Sequence, residues 1–396
     1  MSGLSGPIGR LLSTLDGAPP SDAVAVLATF LADASSATDV ALLLVDYDLA
    51  VLQMLRPGEQ AGPYDSVAVD GSEPGEAFVT QAPVFREEAG GGVWVWSPVT
   101  LRAERLGVVQ MRLPEPPDDD FSAGLGQLGA ALAHVILSAA RYTDVFERAR
   151  RSRRFSLAAE MQWSMLPVRS YSGREFAVAG QLVPAYQVGG DNFDYAVDSD
   201  RLRMSVIDAM GHGLRASLLS TLAVTALRNG RRSGDSLLER VTAADTALYR
   251  QFGGEQFVTA LLLEIELATG EVSVVNAGQP GLLLVDATGV RGVPLDSQLP
   301  LGLFQEGQSG TGPHEVQRFS LQRGARLVVV SDGLLEATPP QGGAEFAEIG
   351  LPSVLVATTG HAANEAVRLT ILDLMAHCSG RPRDDATLLI LDWHGR

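Results

Sequence analysis

Lysine is absent from this sequence, and all thirty basic residues are arginine. That excludes Schiff-base chemistry on a lysine amine and the lysine-bearing loops that cradle nucleoside triphosphates. Cysteine is nearly absent. The one residue, Cys378, cannot form an internal disulfide or furnish a cysteine-cluster zinc site, so a reducing, cytoplasmic setting is the expectation. Apolar runs such as 42–45 and 261–263 are far too short to cross a bilayer. The first ten residues lack the basic start and apolar run of a secretory leader, and none is expected. Positive charge is in deficit, with 47 acidic residues against 30 basic and a net charge of −17. Bulk electrostatics therefore exclude nucleic acid and anionic membranes as partners.

What is present fits folded domains: 46% of residues are hydrophobic and 19% charged. A length of 396 residues exceeds one ordinary core, so more than one domain is expected. Residues 1–20 read as an N-terminal tail. Residues 21–117 read as a mixed α/β module, with a helix over 23–34 and strands over 40–46, 49–55, 93–99 and 106–113. Pro114, Pro116 and Pro117 close it.

Residues 118–167 read as a helical linker. Leu125, Leu128, Leu132, Val135, Ala139, Tyr142, Phe146 and Ala149 alternate at spacings of three and four, a heptad seam. Two readings remain open there: a coiled-coil seam that makes a homodimer, or the core face of a helix within one subunit. Arg148, Arg150, Arg151, Arg153 and Arg154 follow, and Pro167 ends the stretch. Residues 168–396 are strand-rich, with strands over 176–183, 192–197, 202–207, 257–263, 272–276, 281–285, 316–321, 327–330 and 386–391. Helices are expected over 214–228, 236–251 and 364–378. Sequential strands with helices between them predict an α+β sandwich.

Four aspartate-bearing turns lie in that C-terminal stretch. They are Gly189-Gly190-Asp191, Asp208-Ala209-Met210-Gly211-His212-Gly213, Ser331-Asp332-Gly333, and Arg383-Asp384-Asp385-Ala386-Thr387. Each sets a carboxylate at a strand end beside glycine or another small residue, where backbone can approach a ligand closely. Hard divalent cations such as Mg²⁺ and Mn²⁺ take oxygen ligands. Converging carboxylates without cations repel each other and resist ionisation. Two cations relieve that repulsion, acidify water and polarise a phosphoryl group, as phosphomonoester hydrolysis demands.

The ordered set of motifs resembles the SpoIIE type of the PPM family, metal-dependent phosphatases similar to protein phosphatase 2C. The resemblance runs from Phe155 to Trp393. It is carried by Met165-Leu166-Pro167, the run 184–195, the four aspartate turns, Phe257-Val258-Thr259-Ala260 and Asn276-Ala277-Gly278. It implies a β-sandwich flanked by helices, with two Mn²⁺ or Mg²⁺ ions at one end. Asp191 and Asp208, with the Ala209 carbonyl, would hold one ion; Asp208, Asp332 and Asp384 would hold the other. Hydrolysis would use water, without a phosphoenzyme. Asp385, Thr387, Gly190 and Gly333 would support these ligands. His212 is open between a general acid and a cap of the following helix, and the supporting role of Asp194 is open against a plain surface position. Gln279 stands where relatives often carry histidine. No arginine stands out as a phosphate clamp: Arg203, Arg215 and Arg383 are candidates, with a solvated surface charge the favoured reading of each.

The module 21–117 resembles a GAF sensor domain through Gly75-Glu76-Ala77-Phe78, the stretch 80–84, Trp96-Ser97-Pro98-Val99 and Arg105-Leu106-Gly107-Val108-Val109. That implies a small-ligand site or a dimerisation module, without a cysteine-linked chromophore. The expected function is a serine/threonine phosphatase acting on a phosphorylated protein, an anti-sigma-factor antagonist by family resemblance, under control of the GAF-like module. The rival readings are a catalytically silent signalling scaffold and a hydrolase of small phosphoesters.

Overall fold

The chain divides into two compact units, Met1–Arg154 and Phe155–Arg396. The structure, a computed structural model, describes residues 8–59, 62, 64–152, 154–184, 189–304 and 313–396. Arg153 of the arginine cluster and positions 185–188 of the run 184–195 lie outside the described residues.

The N-terminal unit begins with α1 (Ile8–Gly17) and α2 (Ala23–Ser35), followed by β1 (Thr38–Val45), β2 (Val51–Leu55) and β3 (Ser66–Ala68). Next come α3 (Glu73–Thr80), β4 (Val84–Glu87), β5 (Val93–Leu101), β6 (Glu104–Leu113), α4 (Asp119–Ala139) and α5 (Val145–Ala149). The strands form one sheet in the order β3-β2-β1-β6-β5-β4. Alternating side chains divide between its faces. Leu42, Leu44, Val95, Val109 and Met111 pack with the helices α1, α2 and α4. Leu43, Val45, Trp96 and Val108 pack with Ala77 and Phe78 of α3. The Ser72 hydroxyl caps α3 by accepting from the Gly75 N–H, and Glu73 and Glu76 occupy its first turn.

Three expectations need correction here. Residues 1–20 are not simply a tail, because α1 inserts Leu11 and Leu15 into the core. Residues 118–167 are not a free linker helix: α4 and α5 belong to the N-terminal unit, and α6 opens the second. Leu125, Leu128, Leu132, Ala139, Phe146 and Ala149 of the seam are buried in the N-terminal core. The seam is therefore a core face, and it offers no free apolar stripe for a homodimer. Helix α4 is long and apolar enough to cross a membrane, but about half of its apolar stretch is buried inside the protein, as in the core helix of a folded unit. Leu132→Asp should accordingly cost at least about 3 kcal/mol of N-terminal stability by burying a charge. Calorimetry alongside sedimentation checks this. A stably folded variant that differs only in oligomeric state would restore the seam as an interface.

The C-terminal unit opens with α6 (Leu157–Met165), β7 (Ser170–Ser172), β8 (Phe176–Val183), β9 (Asn192–Val197) and β10 (Arg201–Ala209). It continues through α7 (Leu214–Ser233), α8 (Leu237–Phe252), β11 (Val258–Glu266), β12 (Glu271–Ala277), β13 (Gly281–Asp286) and β14 (Gly289–Gly292). It closes with β15 (Gln317–Ser320), β16 (Arg326–Val330), α9 (Asp332–Leu335), α10 (Phe346–Ala357), α11 (Ala363–His377) and β17 (Ala386–Trp393). Two antiparallel sheets result, one ordered β15-β12-β11-β10-β9 and the other β14-β13-β16-β17-β8-β7. Phe176, Leu182, Phe193, Val206, Leu263, Leu389 and Leu391 fill the space between them. The outer face of the first sheet packs on α7 and α8, and that of the second on α10 and α11. The unit is a β-sandwich flanked by helices, as the sequence predicts.

Candidate metal centre

Strand pairing alone brings the four aspartate turns to one end of the sandwich. In the first sheet Asn192 at the start of β9 lies opposite Ile207 in β10, and Asp208 lies opposite Thr259 at the start of β11. In the second, Val330 at the end of β16 lies opposite Leu388, and Ala386 at the start of β17 lies opposite Val183. Asp191, Asp208, Asp332, Asp384 and Asp385 therefore sit on neighbouring strand ends although they are far apart in sequence.

The backbone is fitted closely around them. A Cβ on Gly190 would stand 2.5 Å from the Ala209 Cβ and 2.6 Å from its carbonyl oxygen. A Cβ on Gly333 would stand 2.1 Å from the Asp385 carbonyl oxygen. Only glycine permits these approaches, one between strands of the first sheet and one between turns of the second.

Hydrogen bonds then fix the carboxylates. The Thr387 hydroxyl donates to Asp191 Oδ2 at 2.7 Å, and the Thr387 N–H donates to the Ser331 hydroxyl at 2.9 Å. The Gly333 N–H donates to Asp332 Oδ1 at 2.7 Å, and the Asp385 N–H to Asp384 Oδ1 at 2.8 Å. From α6, the buried Gln162 amide donates to the Asp191 carbonyl at 2.7 Å and to the Asp385 carboxylate.

The charges are strongly interdependent. Burial, and after it the Asp332 carboxylate, push the Asp208 carboxyl up to about 7, with Asp384 and Asp385 adding to the rise. Burial and the neighbouring Asp208 and Asp385 raise Asp191 well above the usual carboxylate range. Asp332 is raised chiefly by burial. Such a cluster holds excess negative charge that a cation would neutralise. Among the described residues, no three carboxylate, imidazole or thiolate groups close around one point as a preformed cage. Mg²⁺ keeps several waters and needs few protein ligands, so an open set of carboxylates suits it.

Other expected residues fall in different places. His212 is exposed between Gly211 and Gly213, and the N-terminus of α7 has no side-chain cap, so the capping alternative is not realised. Arg203 is committed to Glu264 and Asp198. Arg215 and Arg383 are exposed. Asp194 is buried and receives Arg228 and Arg231, which makes it a structural anchor for α7 and excludes the surface reading.

Sequence reasoning missed Gln162, Ser331 and Thr259, and gave Gln279 no role. Gln279 is buried, accepts from the Thr259 hydroxyl at 2.7 Å and donates to the Val330 carbonyl at 3.5 Å. It ties the β11 end of one sheet to the β16 end of the other, behind Asp208 and Asp332. A polar amide inside an apolar motif was the available signal for both glutamines.

The two sheets, the flanking helices and the acidic end define a domain of the PPM, or protein phosphatase 2C-like, class. Residues 198–394 match the family model of stage II sporulation protein E, SpoIIE. The C-terminal unit thus belongs to the SpoIIE type of that class. The matched span contains Asp208, Asp332 and Asp384, while Asp191 precedes it. The chain is 24% identical over 196 residues to the phosphoserine phosphatase RsbP of Bacillus subtilis, an alignment covering 48% of this chain and 45% of RsbP. It is 20% identical over 238 residues to the phosphoserine phosphatase RsbU of the same organism, covering 59% of this chain and 68% of RsbU. The chain therefore spans less than half of one curated relative and about two thirds of the other. Among solved structures, the SiaA-PP2C domain of Pseudomonas aeruginosa matches with a TM-score of 0.50 and 19% identity, over 60% of this chain and 94% of that domain.

Proposed function

We propose that the protein is a Mn²⁺- or Mg²⁺-dependent phosphatase that removes phosphate from phosphoserine or phosphothreonine on a partner protein. The observation that carries this reading is the convergence of Asp191, Asp208, Asp332, Asp384 and Asp385 on neighbouring strand ends at one end of the sandwich. Two cations would be held by Asp191, Asp208 and the Ala209 carbonyl, and by Asp208, Asp332 and Asp384. Bound there, they would supply charge neutralisation, polarisation of the phosphoryl group and acidification of water. The chain's own contribution is orientation. Thr387 and Ser331 fix Asp191, Gln162 fixes Asp385, and the close approaches at Gly190 and Gly333 keep the two sheet ends in register. His212 is the candidate general acid, because its imidazole is exposed four residues after Asp208 in the turn that leaves β10.

The N-terminal unit is read as a GAF-like input domain, supported by its antiparallel sheet with helices on both faces, and a small ligand there is part of the proposal. The names of RsbP and RsbU, both phosphoserine phosphatases, support phosphoserine as the group acted on, and a phosphorylated anti-sigma-factor antagonist is the specific proposal. A cytoplasmic setting accords with the single buried cysteine.

The test combines activity with stability. Chelation should abolish phosphate release from a phosphoserine peptide and Mn²⁺ should restore it, while thiol alkylation should have little effect because Cys378 is buried. Activity that survives exhaustive chelation would end the metal reading. The pH dependence of metal-free stability has a definite sign. Asp208 is raised from 3.8 to about 7 on folding. Its contribution is fully present below about pH 4 and is lost as pH rises through about 7, a change on the order of 2–4 kcal/mol. The metal-free protein should lose thermal stability from pH 5 to pH 8, and Mn²⁺ should reverse the loss. Equal slopes in wild type and Asp208→Asn would contradict the coupling.

A further inference from the structure

Helix α7 leaves the aspartate centre with its inner face satisfied. Ala216, Leu219, Ala223 and Val224 are buried against the first sheet. Its outer face is unusual. On it Leu214 is 45% exposed and Leu218 50%, about one helical turn apart, and Met210, in the turn before the helix, is 50% exposed. Surface positions of an amphipathic helix are ordinarily polar, and a run of exposed large apolar side chains marks a binding surface. The run starts one residue after Ala209, whose carbonyl faces Gly190 in the centre.

Charge indicates what the ridge meets. Arg215 lies on the same helix turn and Arg383 precedes Asp384; both are exposed and without an acidic partner among the described residues. The whole chain carries a net charge of −17. Exposed guanidinium groups without an acidic partner among the described residues complement an anionic, phosphate-bearing segment, whereas a second copy of this acidic chain brings like charge.

We infer that Met210, Leu214 and Leu218 form a docking ridge for the phosphoprotein substrate. It selects phosphoserine segments that carry apolar side chains at alternate positions near the phosphoserine. The inference rests on the phosphatase reading above. The spacing follows from geometry. Leu214 and Leu218 are about 6 Å apart along the helix axis. An extended segment advances about 3.3 Å per residue and shows every second side chain to the same face. Its alternate positions therefore keep step with the ridge.

The experiment uses the full chain with Mn²⁺ and two phosphoserine peptides of equal length and charge. One carries leucine two and four residues to either side of the phosphoserine, and the other carries serine there. Wild type should favour the leucine peptide by about tenfold or more in kcat/KM, the scale that apolar pockets deliver. In Leu214→Ser with Leu218→Ser that ratio should fall to about one, with the thermal unfolding transition as a check on folding. A ratio near one in wild type, or a preference that survives in the double variant, overturns the ridge. So does a double variant that changes sedimentation but not preference, because the ridge would then be a self-association surface. Anisotropy of the labelled leucine peptide separates the two readings. Weaker binding to the double variant, in a protein that hydrolyses neither peptide, upholds docking while the phosphatase reading fails.

Discussion

Asp208→Asn should lower Mn²⁺-dependent phosphate release by about 10³-fold or more while raising the thermal stability of the metal-free protein. The two effects have one cause. Asp208 lies where the fields of Asp332, Asp384 and Asp385 meet, and it shares a hydrogen bond with Asp191. A neutral amide there removes the charge that would bridge two cations, and it also removes the repulsion that burdens the empty cluster. A merely damaging substitution would lower both activity and stability. Asp332→Asn and Asp384→Asn should also abolish turnover, and combining them should add little because the carboxylates act as a unit. Phosphate release from a phosphoserine peptide and calorimetry with chelator present provide the two readings. A folded Asp208→Asn protein with wild-type turnover would refute the assignment of the centre.

The second large effect is structural and lies away from the centre. Glu264 on β11 is nearly buried and receives Arg240 from α8 and Arg203 and Arg201 from β10. Arg240 is itself buried, and burial depresses its pKa despite the nearby carboxylate. Glu264→Ala would strand that guanidinium without its counter-charge. A loss of about 3–5 kcal/mol is expected, because breaking a buried pair costs far more than the pair is worth intact. For a unit of this size that lowers the transition by roughly 10 °C. Calorimetry should show it in the transition that divalent metal raises. The double variant Arg240→Met with Glu264→Met should recover much of the loss, since no charge is then left unpaired. A double variant less stable than Glu264→Ala would argue against this account.

The aspartate centre was legible because strand ends announce themselves locally. Asp191, Asp208, Asp332 and Asp384 each adjoin glycine, or another small residue close by, at the edge of an apolar run, and antiparallel pairing does the rest. The long strands and the helices α7, α8 and α11 followed from period alone. Other features were hidden because their meaning is set by distant partners. Gln162 reads as one polar residue in a short helix until Asp191 and Asp385 are brought beside it. Helix α10 contains Gly350 and Pro352, which mask its apolar face in the sequence. The heptad seam leaves a dimer seam and a core face both open, because a regular three–four spacing serves a sheet as well as a second helix. Leu125, Leu128 and Leu132 found their partners within the N-terminal unit.

The contact between Gln162 and the carboxylate turns also bears on how such a chain can be recombined. Helix α6 precedes the first strand of the sandwich, yet its amide completes the shell around Asp191 and Asp385. A swap of input domains that broke the chain after Pro167 would carry away that donor from the buried Asp191 carbonyl and Asp385 carboxylate. The seam along which nature or an engineer can exchange sensors therefore falls near Arg154 and Phe155, where the two units divide. A sensor graft should inherit α6 with the sandwich, as part of the module it delivers.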